Sequence, residues 1–118
     1  MTSILKSIKT VLGINVDDTS FDNELVLHIN SILTLKLYQI GIGPETGFSI
    51  SSEAETWDQF LSDEEMKKLE AVKTYVGLNV RLVFDPPSSS THLESIKSTI
   101  DELEWRLNIQ TDLIKKEG

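Results

Sequence analysis

Residues 69–84 constrain the fold of this chain more than any other stretch. Leu69, Val72, Val76, Val80 and Val83 recur at spacings of three and four, and Ala71, Tyr75, Leu78 and Leu82 form a second stripe on another side of the same helical wheel. A helix that is apolar on two sides is either the centre of a bundle or is packed by its own chain on one side and by a neighbouring subunit on the other. It ends at Phe84-Asp85-Pro86-Pro87, where the prolines remove backbone donors. The first stripe is expected to hold the intrachain core. The second, Ala71 and with it Tyr75, Leu78 and Leu82, is expected at a subunit interface or against the second helix.

The remaining punctuation predicts an all-α fold: three long helices, a short N-terminal one, and a long loop or small β-hairpin between the second and third long segments. The short helix starts near Thr2 or Ser3, buries Ile4, Leu5, Ile8, Val11 and Leu12, points Lys6 and Lys9 away, and closes at Gly13. A long helix follows from about Phe21 to Ile40. Phe21, Leu25, Ile29, Ile32, Leu33 and Ile40 form its main face, and Leu27, Leu35 and Tyr38 elsewhere on the wheel imply broad burial. Gly41-Ile42-Gly43-Pro44 to Thr56 reads as a functional loop, in which Phe48-Ser49-Ile50-Ser51 alternates as an extended piece would. After a turn at Trp57–Leu61, Ser62 and Glu65 make a capping box that opens the two-sided helix. The last helix carries the narrow stripe Leu93, Ile96, Ile100, Leu103, Leu107. From Asn108 the stripe is lost, so residues 1–107 are expected as the domain and 108–118 as a flexible tail.

With 118 residues, 39% of them hydrophobic, the chain suits one domain of modest core. No apolar run approaches the roughly 18 residues of a membrane span, and Met1 to Lys6 does not read as a signal peptide, so a soluble, membrane-free protein is expected. The absence of cysteine excludes disulfides and thiolate metal sites. A net charge of −8 argues against binding phosphate backbones, which needs clustered cations. Between Gly41 and Glu65 stand seven acidic residues, among them Glu45, Glu53, Glu55 and Asp58, with no Lys or Arg.

No cofactor is expected. His28 and His92 lie on different helices, without the convergent partners a metal needs. Asp17, Asp18 and Asp22 lack the glycine and terminal glutamate of a calcium loop and read as helix caps. No nucleophile elbow, phosphate-cradling loop or paired histidine supports catalysis, so an enzyme is not expected. Trp105 points about half a turn away from the last stripe. Either the tail folds back over it or it anchors a contact beside Arg106, since Trp and Arg are enriched at interfaces.

The order of elements, the Val80-Arg81-Leu82-Val83-Phe84-Asp85-Pro86-Pro87 junction and the closing Leu103-Glu104-Trp105-Arg106-Leu107 resemble the head-tail connector proteins of tailed bacteriophages, also called head completion or adaptor proteins. The resemblance implies a virion protein, present in the host cytoplasm during assembly. Its subunits form a ring, usually a dodecamer, beneath the portal; the ring continues the DNA channel and docks tail-completion (stopper) proteins. Such subunits are often monomeric when free, and no catalytic residues are implied. Trp105, Arg106, Ile109, Leu113, Ile114, Lys115 and Lys116 would then contact the portal. Glu45, Glu53, Glu55 and Asp58 would line the channel or its rim. A competing reading is a small cytoplasmic helical module that dimerises through Tyr75, Leu78 and Leu82.

Overall fold

The computed structural model describes the backbone of residues 2–117 and the side chains of residues 2–109. Helix α1 (Ile4–Leu12) begins where Ser3 Oγ accepts the Lys6 amide at 3.2 Å and ends at Gly13, whose φ of 77° needs a residue without a Cβ. α2 (Asp22–Ser31) passes through a π-helical turn (Ile32–Lys36) into α3 (Leu37–Ile40), which Gly41 closes at φ 94°. A short α4 (Trp57–Phe60) precedes a 3₁₀ turn (Glu65–Lys68) and the central α5 (Leu69–Phe84), and α6 spans Ser90–Glu117. The fold is all-α. Among the described residues there is no strand, only a single antiparallel bridge between Ser3 and Thr56, so no hairpin forms in the 41–56 loop.

Expected bounds hold at Ser3, Gly13, Gly41 and the prolines, but the two-sided helix begins at Leu69, after a 3₁₀ turn, rather than at the Ser62–Glu65 box. The Ser62–Glu65 capping box is present, with Glu65 Oε1 accepting the Ser62 amide at 2.9 Å and Ser62 Oγ accepting the Glu65 amide at 3.2 Å. α5 stops before the prolines. Two expectations are corrected. The second long helix is interrupted by the π-turn, in which the Leu37 amide donates to Ile32 O, five residues back. The last helix does not end at Leu107, because its backbone stays helical to Glu117.

The π-turn has a definite packing consequence. The spacing Leu25, Ile29, Leu33, Leu37, Ile40 would drift around an unbroken wheel, whereas one extra residue in the turn brings the segments back into phase. Leu25, Ile29, Ile32, Leu33, Leu37 and Ile40 are all buried as a result. Leu27, Leu35 and Tyr38 lie on the opposite side, where they are 65%, 64% and 53% exposed. Broad burial of this helix was expected; the structure instead leaves its second stripe in solvent.

α5 is the hub, with α1, α2 and α6 packed around it. Val72, Tyr75, Val76, Gly77, Asn79 and Val80 are buried on three of its sides. At the α1 crossing, a Cβ on Gly77 would come within 2.5 Å of Val11 Cγ1, so the two helices approach closely only because glycine is there. Val83, expected in the core, is 61% exposed, because it lies in the last turn, beyond the packing of its neighbours.

Candidate assembly surfaces

The two-sided helix divides differently from the sequence expectation. Tyr75 is fully buried in the chain's own core, and its hydroxyl donates to Glu104 Oε2 on α6 at 3.0 Å. Burial, and then the hydrogen bond to and charge of Glu104, push the phenol well above its ordinary pKa. Tyr75 is therefore withdrawn from any surface contact. Leu78 and Leu82 are half-buried against the core and partly open. Next to Tyr75, Asn79 donates to the Tyr75 carbonyl at 2.8 Å and accepts from Lys36 Nζ at 2.7 Å, so a polar chain links the π-turn, α5 and α6.

Trp105 is 64% exposed on α6, and Ile109 is exposed one turn further on. The tail does not fold back over Trp105, since the helix simply continues. Arg106 Nη2 donates to Glu102 Oε1 at 2.7 Å along the solvent side of the helix. The side chains of Leu113, Ile114, Lys115 and Lys116 lie outside the described residues.

The acidic loop is built as much as it is charged. Glu55 accepts from the Ser51 amide and hydroxyl (3.1 and 2.9 Å) and the Ser52 amide (3.1 Å). Burial pushes the Glu55 pKa up, but these donors outweigh it and hold the carboxylate below its ordinary value. Glu65 accepts from the Gly43 amide at 3.2 Å, and Asn30 grips both backbone groups of Ile50, accepting from its amide at 2.7 Å and donating to its carbonyl at 2.9 Å. Phe48 packs on Phe60, with ring centroids 5.3 Å apart, and Trp57 Nε1 donates to Ser7 Oγ at 3.0 Å. Glu53 makes a loose 3.7 Å pair with Lys6. Glu45, Glu53 and Asp58 are exposed, whereas Glu55 is half-buried and engaged.

The expectation that Lys9 points to solvent is also corrected. Lys9 is buried; its ammonium pairs with Asp22 and donates to the Val16 and Asp18 carbonyls at 3.3 and 2.9 Å. Asp22 thus serves as an ion-pair partner, and α2 begins without a side-chain cap. Asp18 does cap a turn, accepting from the Ser20 amide at 3.0 Å, and the Ser20 amide and hydroxyl hold its carboxyl below the usual range. The sequence did contain a signal for Lys9: at four residues from Leu5 and three from Leu12, it borders the apolar face. Among the described residues no group of His, Asp and Glu could hold a metal ion, and no helix is long and apolar enough to cross a membrane.

What these surfaces share is exposed apolar residues on rigid helices rather than converging reactive groups. A family model described as phage connector protein matches residues 4–113, nearly the whole described chain. The chain belongs to the phage connector family. That family is structural rather than enzymatic, which makes this chain a structural phage protein and a virion component. No curated protein and no solved structure matches it.

Proposed function

We propose that this connector protein is a head-tail adaptor subunit that assembles beneath the portal as a ring, dodecameric in the assembled particle, continues the DNA channel, and docks a tail-completion (stopper) protein. The observation that carries this reading is the family match over residues 4–113. Supporting it are apolar surfaces that the chain itself leaves uncovered on α2 and α6. Trp105, Arg106 and Ile109 start the portal contact, and the tail 108–118, with Leu113, Ile114, Lys115 and Lys116, completes it. Lys115 and Lys116 supply positive charge at the end of an otherwise acidic chain. Glu45, Glu53 and Asp58 face the channel or its rim, where negative charge repels passing DNA phosphates.

The test is truncation after Leu107, followed by incubation with portal-bearing capsids. The truncated chain is expected to stay folded and soluble but no longer to sediment with the capsids. Undiminished binding would move the attachment elsewhere, most naturally to the Gly41–Thr56 loop.

A further inference from the structure

Two faces of this chain each carry an accessible apolar row flanked by one acidic and one basic residue. One is the ridge Leu27, Leu35, Tyr38, the exposed large apolar residues of α2, the π-turn and α3. The ridge spans eleven positions, about 16 Å at 1.5 Å per residue. Its flanking residues Asn23, Ser31, Thr34 and Gln39 are uncharged, in a chain of net charge −8. The other is the one open side of α5. Three sides of that helix are buried; the fourth carries Ala71, Thr74, Leu78 and Leu82, partly or wholly accessible between its packed neighbours. Ala71 and Leu78 lie seven positions apart on it, which matches the eight between Leu27 and Leu35 once the π-turn's extra residue is discounted.

Charge fixes the direction. Glu24 and Lys36 lie twelve positions apart, and once the π-turn's extra residue is discounted they share one flank of the ridge. Glu70 and Arg81 lie eleven positions apart and share one flank of the open side of α5. Run antiparallel, the ridge sets Glu24 against Arg81, Leu27 against Leu78, Leu35 against Ala71, and Lys36 against Glu70. Each charge can accept a new partner. Among the described residues the half-buried Arg81 makes no ion pair, and Glu24 meets only His28, at 3.8 Å. Glu70 is 87% exposed beside Lys73, and Lys36 uses one of its three donors, on Asn79.

We propose that a second copy of this chain lays the Leu27–Leu35 part of its ridge antiparallel on the open side of α5, with Glu24 meeting Arg81 and Lys36 meeting Glu70. This rests on the ring reading and supplies its subunit contact. The two faces are different, so the contact is heterologous: each copy offers its ridge to one neighbour and the open side of its α5 to the other, which makes a ring rather than a dimer when the rotation between neighbours closes.

Because the chain has no cysteine, introduced thiols report on this contact alone. Phage particles carrying Leu27→Cys together with Leu78→Cys, treated with a mild oxidant, are expected to yield a ladder of disulfide-linked multimers of the chain. Particles that contain this variant only as monomer would overturn the contact. So would dimers formed by Leu27→Cys alone, which mean ridge against ridge. Should the cysteine variant fail to enter particles, charge reversal decides. Glu24→Arg and Arg81→Glu should each lower the incorporated chain about tenfold, the scale of one well-placed charge pair, and the double variant should restore it. No restoration refutes the contact. Absence of the wild-type chain from the portal vertex would instead refute the ring reading.

Discussion

Between α1 and α2 the chain turns around one buried ammonium, whereas between α3 and α5 several polar side chains hold the loop from its margins. In the first loop, Lys9 donates to two carbonyls and pairs with Asp22, so all three of its protons are used in one place. In the second, Asn30, Glu55 and Glu65 each satisfy a separate piece of backbone. Both solve the same problem, since turning chain buried against helices must find partners for its amides and carbonyls. They differ in how failure spreads. Removing one centre unties a whole corner of the bundle, while removing one of several clips opens a segment.

The largest expected effect is therefore at Lys9. Lys9→Met keeps the volume but leaves Asp22 unpaired and the Val16 and Asp18 carbonyls without a donor, and should cost about 3–5 kcal/mol, read from the midpoint of urea unfolding. A loss below about 1 kcal/mol would place the corner's stability elsewhere. Asn30→Ala comes next. It strips both backbone groups of Ile50, which is itself buried, and should cost about 2 kcal/mol. Hydrogen exchange should show the change concentrated at residues 48–52, with the α5 amides keeping their relative protection; a uniform loss would break the contrast between corner and clips.

A smaller effect tests Glu55 by pH. Its folded pKa is depressed below the ordinary 4.5, so its contribution is complete above the unfolded value and disappears as pH falls through the folded one. Amide exchange at Ser51 and Ser52, corrected for intrinsic rate, should accelerate as pH falls below 4.5 and through the depressed folded value. Glu55→Gln should show the faster exchange at every pH. The smallest effect is expected at Arg106, whose pair with Glu102 is exposed on both sides. Arg106→Ala should change folding stability by less than about 0.5 kcal/mol while weakening attachment to portal-bearing capsids. A large stability loss would make it a structural residue.

The sequence made the fold's punctuation legible because caps and stops act locally. Ser3, Gly13, Gly41 and the two prolines work through neighbours within a few residues and act where expected, whereas the Ser62–Glu65 box forms but leads into a 3₁₀ turn before α5. Lys9 was hidden because a charged residue beside an apolar face is ordinarily solvated, and only the loop folding over it supplies its acceptors. The exposed ridge was hidden for the converse reason. Leu27, Leu35 and Tyr38 are apolar, and apolar residues around a helical wheel ordinarily read as buried. Tyr75 shows the limit of stripe counting. Its place on the second face of α5 was correct, yet α6 covers that part of the face and bonds its hydroxyl, leaving only Leu78 and Leu82 toward the outside. The family resemblance was legible from the DPP junction and the closing Leu103–Leu107 run, and the match over residues 4–113 bears it out.

The central claim, that this connector assembles on the portal as a ring of touching copies, is tested most directly by the mass of the complex formed when purified portal is mixed with excess full-length chain. The account predicts a single saturated species in which the chain is present in a fixed, ring-closing number of copies, reached cooperatively because neighbours hold one another. A portal mass that does not change, or that rises by independent single additions without a preferred end point, would contradict it.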